Sequence, residues 1–245
     1  MAELGHAIYV DNLTKAIEFA TSWGSKYNPS NPLLSIASMT AIRDAGKAAI
    51  DATQQSIVPY RNATAAAKVG FDEVKPRVRR IVPAAKACGI PDENLEDVKT
   101  YIRKLTGRRL TPKVKDDPNT TDVNEAENSH SASQMSRTQQ IENLENVRLL
   151  LESYPLYKPN EADLQTDTLK TWTQGLQALI AGVTTNFVPY SNSLGSRDDA
   201  LYNAENAVVR VGNLFKTYVE SAFGRDSEEY GQIRNLKFKK QKRRT

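Results

Sequence analysis

FDEVKPRVRRIVPAAKAC, residues 71–88, and LYNAENAVVRVGNLFKTY, residues 201–218, look unrelated letter by letter, yet they place apolar or aromatic residues at matching positions. In the first, Phe71, Val74, Val78, Ile81, Ala85 and Cys88 follow a 3-4-3-4-3 spacing, which sets them on one stripe of an α-helix. In the second, Leu201, Ala204, Val208, Val211, Phe215 and Tyr218 keep both the phase and the chemistry. The offset between the two is 130 residues, and it extends outward. IVPYRN at 57–62 meets FVPYSN at 187–192, Tyr27 and Pro29 meet Tyr157 and Pro159, Ile17 meets Val147, and Ile50 meets Ile180. Near the last helix Ile102 and Leu105 meet Ile233 and Leu236 at an offset of 131.

We read this as an internal duplication. The expected fold is all-α: an internally duplicated helical bundle of two related four-helix units in a pseudo-symmetric arrangement. Helices are expected near 8–25, 33–56, 70–88 and 92–106, and near 137–154, 162–186, 197–222 and 227–239. No strand-like alternation is sustained enough to compete. The expected divisions are 1–110 for the first repeat unit, 111–136 for a polar linker, 137–236 for the second unit and 237–245 for a basic C-terminal tail. The linker lacks aromatic residues and is rich in turn-forming and polar ones, which denies it hydrophobic anchors.

Local chemistry sets the expected boundaries. Proline lacks a backbone donor and disfavours helical geometry in the residue before it, so Pro59 and Pro189 predict helix ends near 56 and 186. Pro91 suits a first helical turn, and Asp226 with Glu229 and Ser196 with Asp199 are candidate caps. The halves also differ. Pro76 and Pro83 stand where the second half has Asn206 and Asn213, so the first-half helix is expected to be kinked or divided. Ala41, Ala45, Ala48, Ala49 and Ala52 give the second helix a small-residue face, whereas its counterpart carries Leu169, Trp172, Leu176, Leu179, Val183 and Phe187.

Composition narrows the functional classes. The chain has 245 residues, 39% of them hydrophobic and 25% charged, as expected of a folded chain. Its longest strongly apolar stretch, LQALIAGV at 176–183, is too short for a transmembrane helix, and the first residues lack the pattern of a secretion signal. A cytoplasmic location is the expectation. The single cysteine, Cys88, excludes an intramolecular disulfide, and its place on an apolar stripe predicts a core residue. His6 and His130 complete no metal-ligand spacing and no nucleophile-base pair, and no glycine-rich phosphate cradle is present. We therefore expect no enzyme, no cofactor, no metal and no small-molecule substrate.

Charge supplies the remaining leads. The formal net charge is +4, and KFKKQKRR at 237–244 holds basic residues without an acid. Candidate anion or nucleic-acid contacts are Arg77, Arg79, Arg80, Arg103, Lys104, Arg108, Arg109, Arg210, Lys237, Lys239, Lys240, Lys242, Arg243 and Arg244, in a field that also includes Lys113 and Lys115. Such cations can hold phosphates through counterion release without reading bases. The repeated Tyr27, Pro29, Pro59, Tyr60, Asn62, Tyr157, Pro159, Pro189, Tyr190 and Asn192 are expected to be structural corners rather than a repeated ligand site. The sequence thus favours a non-catalytic structural or protein-interaction scaffold with a protein partner or self-association. An RNA- or DNA-binding accessory protein that uses phosphate contacts is the alternative.

Overall fold

The apolar stripes build helices throughout. A computed structural model describes residues 4–107 and 135–239, which form an all-α, multi-helix bundle with no strand among the described residues. The α-helices are α1 (Leu4–Ser22), α2 (Ile36–Asp72), α3 (Val74–Ala87), α4 (Glu96–Thr106), α5 (Arg137–Glu152), α6 (Thr166–Asp198), α7 (Val208–Phe223) and α8 (Glu228–Ile233). A π-helical turn, Asp199–Asn203, follows α6.

The expected helix ends at Pro59 and Pro189 are not where the helices stop. α2 runs through Pro59 and α6 through Pro189. An interior proline deprives the carbonyl four residues earlier of its donor and costs roughly 3 kcal/mol. Here those carbonyls belong to Gln55 and Thr185, both exposed, so water can take the lost bonds, while Ile50, Ile57, Ala67 and Phe71 along α2 are buried. Packing on both sides of the proline outweighs the local preference. The break falls later instead. Pro76 is the third residue of α3, and its ring opposes the carbonyl of Asp72, where α2 ends. Pro83 lies inside α3 on an exposed face. In the second half, the expected helix over 197–222 is divided by Ala204–Ala207, whose two alanines take extended backbone geometry.

Other local expectations also shift. Ser227, not Asp226, caps α8 by accepting from the Tyr230 amide at 3.1 Å, and Ser196 lies within α6. Cys88 closes α3 as a half-buried residue, displaced from the core by the end of the helix. The stripe that carried the reading is otherwise deep: Val74, Val78, Ile81 and Ala85 are buried in α3, as are Val208, Val211 and Phe215 in α7.

The helices assemble as two compact units, one of residues 1–61 with 186–245, the other of 62–185. Neither coincides with 1–110 or 137–236. In the first unit α1 packs on α7 and α8, around Leu13, Met39, Leu201, Val208, Phe215 and Ile233. Gly46 permits the close approach of α2, since a Cβ there would fall 2.8 Å from Val208 Cγ2. Within this unit α2 and α6 run antiparallel: Thr53 Oγ1 donates to the Ser193 carbonyl at 3.2 Å, and the Ser56 and Ser193 hydroxyls are 2.7 Å apart. In the second unit α5 packs on α4, and α4 on α3, around Val78, Ile81, Leu95, Leu105, Leu144 and Leu151. There Gly70 gives room to Leu179, whose Cδ1 would lie 2.6 Å from an added Cβ.

Each sequence half contains a buried tyrosine bridging the turn after its first helix, Tyr27 after α1 and Tyr157 after α5. Tyr27 Oη donates to the Leu34 carbonyl at 2.6 Å, and Tyr157 Oη donates to the Leu164 carbonyl at 2.9 Å. Burial pushes both phenols well above the ordinary tyrosine range, with Tyr218 adding to the effect at Tyr27 and Cys88, Glu161 and Asp163 at Tyr157.

Two predictions follow from this arrangement. Because each unit draws helices from both sequence halves, fragments 1–110 and 136–245 are expected to be poorly helical alone and to gain cooperative helicity on mixing; circular dichroism of each fragment and of an equimolar mixture checks this. The tyrosines give a pH dependence. A folded pKa above the unfolded value contributes stability that is complete below about pH 10 and is lost as pH rises further. The double variant Tyr27→Phe/Tyr157→Phe should lose about 1 kcal/mol per hydrogen bond at pH 7 but show a shallower decline in urea midpoint above pH 10 than the parent.

Candidate functional site

The basic residues divide between the units, and many already have partners. In the second unit α3 carries Arg77, Arg79 and Arg80, with Arg103 and Lys104 on α4. The Arg77 guanidinium lies 4.2 Å from the Trp172 ring centroid, which supports a cation-π contact. Arg80 grips Asp163 with two hydrogen bonds, of 2.6 and 3.1 Å, and this charge holds the Asp163 carboxyl below its usual range. Lys104 Nζ sits 5.0 Å from the Tyr101 ring centroid, and Arg103 reaches the Thr100 hydroxyl at 3.5 Å. Arg79 is exposed. In the first unit Arg210, Lys237 and Lys239 are exposed. Arg108, Arg109, Lys113, Lys115, Lys240, Lys242, Arg243 and Arg244 lie outside the described residues.

The start of the predicted tail is part of the core. Leu236 and Phe238 are buried, and the backbone between Arg234 and Phe238 is held by side chains from α1 and α7. Asn12 Nδ2 donates to the Lys237 carbonyl at 3.0 Å and Asn213 Nδ2 to the Phe238 carbonyl at 3.1 Å. Lys216 Nζ donates to the carbonyls of Arg234 and Leu236, each at 2.9 Å, and burial lowers the Lys216 pKa. The Phe238 ring lies over Gly212 so closely that any Cβ at 212 would overlap it. This ring is consumed by packing and does not stack on a base. Sequence reading missed the arrangement, although a signal existed: the offset counterpart of Gly212 is Val82, whose side chain would fill that space, and that of Asn213 is Pro83, which has no side-chain donor.

The repeated VPY residues are in mid-helix, with Tyr60 on α2 and Tyr190 on α6. Their rings stack with centroids 5.5 Å apart and planes 14° from parallel, and Tyr60 also meets the Phe187 ring at 5.5 Å. Around them Val58, Phe187 and Val188 are 53%, 46% and 51% exposed. Pro59, Asn62, Pro189 and Asn192 are exposed on the same helices. Tyr27 and Tyr157 instead sit at the turns described above, followed by Pro29 and Pro159.

Two further features have chemical groups. A groove of about 440 Å³ between α1 and α2 is lined by Asp11, Thr14, Arg43, Lys47, Asp51 and Gln54, among others, with Arg43 paired to Asp44 at 2.7 Å. Its charges are of both signs. His6 is buried with Nδ1 2.5 Å from the Tyr202 hydroxyl, and burial raises the Tyr202 phenol above its ordinary range, with Tyr9 adding to it. Among the described residues no three His, Cys, Asp or Glu side chains group to hold a metal ion, and no helix is long and apolar enough to cross a membrane. The chain matches no protein-family model, no curated protein and no solved structure.

The Gly212–Phe238 contact yields a double-mutant test. Phe238→Ala should cost about 3–5 kcal/mol, and Gly212→Val should cost a similar amount by expelling the ring. Together they should cost clearly less than the sum, because both remove one contact; urea denaturation of the four proteins reads the coupling.

Proposed function

We propose that the protein is a non-catalytic structural or protein-interaction scaffold built from duplicated helical units. The observation that carries this reading is the exposure of large apolar side chains on α2 and α6, Val58, Phe187 and Val188, with Phe187 in contact with the Tyr60 ring that stacks on Tyr190. Interface cores are enriched in aromatic residues, as this ring cluster is. The duplication draws support from two sources. Tyr27 and Tyr157, counterparts at the 130-residue offset, each bond the carbonyl seven residues on, and Tyr60 stacks on its own counterpart Tyr190.

A phosphate-contact role is the second reading, and Arg79, Arg210, Lys237 and Lys239 favour it by their exposure. One experiment separates the two. A photo-crosslinking residue replaces Val188 in the full-length protein in its native cell, and the purified protein, freed of nucleic acid, is titrated with fluorescent single- and double-stranded nucleic acids across a salt series. The scaffold reading expects crosslinks to protein that survive nuclease treatment, with nucleic-acid binding confined to low salt. Saturable binding near physiological salt, with a log-log slope that falls when Lys237, Lys239, Lys240, Lys242, Arg243 and Arg244 are neutralised, would replace it with the phosphate-contact reading.

A further inference from the structure

We infer that the groove of α1 and α7 in which residues 236–239 lie is a peptide-binding site. The chain's own C-terminal segment fills it in this structure, and a partner peptide with an aliphatic and an aromatic residue two positions apart takes it by displacing that segment. The inference goes beyond the scaffold reading and uses none of the exposed residues of α2 and α6.

The segment is held as a bound peptide is held. Residues 236–239 follow α8 in irregular backbone, and burial alternates along them: Leu236 and Phe238 are buried, Lys237 and Lys239 exposed. In peptide recognition, main-chain hydrogen bonds give affinity and pockets for alternate side chains give specificity. Both parts are present. The carbonyls of Leu236, Lys237 and Phe238 accept from Lys216 Nζ, Asn12 Nδ2 and Asn213 Nδ2 at 2.9, 3.0 and 3.1 Å. Every residue carries a carbonyl, so these donors hold a main chain whatever its sequence. Gly212 supplies the selectivity: it lacks the side chain that would overlap the Phe238 ring, so the floor of the groove admits an aromatic residue.

The groove is particular to these helices. At the 130-residue offset Asn12, Gly212 and Asn213 meet Glu142, Val82 and Pro83, which are an acid that would repel a carbonyl, a branched side chain and a residue without a side-chain donor. Lys216 meets Lys86, whose ammonium lies 3.0 Å from the Asp92 carboxylate instead. The segment itself has two apolar anchors, and a peripheral element of this kind opens at less than the cost of global unfolding. Leu13, Val208, Val211 and Phe215 keep α1 and α7 in the core beneath it. The tether makes the resident segment a competitor, because a short linker holds it at an effective concentration on the order of millimolar.

Fluorescence anisotropy tests this with a labelled, end-blocked peptide RNLKFK, the sequence of residues 234–239. It is titrated into the full-length parent, Phe238→Ala and Phe238→Ala/Gly212→Val, beside a control peptide of equal charge in which serine replaces the leucine and the phenylalanine. We expect at least about tenfold tighter binding to Phe238→Ala than to the parent, because the resident segment has lost its ring. Adding Gly212→Val should abolish that gain, and the control peptide should not saturate. Lys216→Met in the Phe238→Ala chain keeps the aliphatic stem and removes the ammonium donor, and should weaken the peptide about tenfold. Absence of binding to Phe238→Ala, affinity equal to the parent's, equal binding of the two peptides, or a gain that survives Gly212→Val overturns the inference. Phe238→Leu, which keeps an apolar filler over Gly212, replaces the alanine variant if that variant loses cooperative unfolding, and an affinity equal to the parent's overturns the inference there too.

Discussion

The helical continuity of α2 and α6 across their prolines decides how everything else is assembled. Had these helices ended near 56 and 186, each half of the chain would have turned back on itself, with its third and fourth helices returning to its first. Because they continue, residues after Arg61 belong to a different unit from those before it, and α6 makes the same passage in the opposite sense at Asn186. α1 therefore finds α7 and α8, and α5 finds α4, which packs on α3. The proline penalty of roughly 3 kcal/mol is tolerable on an exposed helix face, where Gln55 and Thr185 can bond to water. On a buried face the same residue would have left a carbonyl without a partner, and the helix would have had to stop.

Small and weakly polar side chains keep the close approaches possible. Gly46 and Gly70 let α2 come near Val208 in one unit and Leu179 in the other. Thr53, only 1% exposed, directs its hydroxyl both to Ala49 within α2 and to Ser193 of α6, so a buried polar atom is satisfied while it ties two helices together. The charged groups play a different part. Arg148, nearly buried on α5, is enclosed by Glu145 and Glu152, which offsets the cost of removing a guanidinium from water. Arg80 with Asp163 and Arg225 with Glu220 are surface pairs, where solvent screening leaves little net stabilisation. Apolar contact sets the stability, and the ion pairs mainly dispose of charge.

This division explains what the sequence made legible. The stripes through Val78 and Val208 were readable because burial of one face imposes a helical period that survives changes of residue. Helix ends at Pro59 and Pro189 were not, since local propensity argues for a break and, in α2, only the buried contacts at Ile57, Ala67 and Phe71 argue against it. The capping of α8 by Ser227 instead of its neighbour is a difference of one position in backbone geometry, below the reach of composition. Assignment of helices to units was hidden for a deeper reason. Apolar stripes that match at an offset of 130 residues offer each half's first helix two similar sets of partners, and their periodicity is the same whichever set it chooses. Of the candidate contacts, the basic positions could be listed from the sequence, but the pairing of Arg80 with Asp163 and the seating of Arg77 on Trp172 required distant residues to be brought together.

The places where the halves depart from one another form a single coherent change. Gly212 opens space that Val82 would close, and Phe238 fills it. Asn213 supplies the donor for the Phe238 carbonyl, whereas Pro83 exposes no side-chain donor at all. Lys216 reaches two further carbonyls of the same segment. Taken one at a time these are ordinary differences between α3 and α7. Taken together they convert one α7 face into a receptor for the chain's own C-terminal segment, and they do so with each backbone carbonyl from Leu236 to Phe238 accepting a side-chain donor. The consequence is local to the first unit, where the chain's own C-terminal segment covers part of α7 through Leu236 and Phe238.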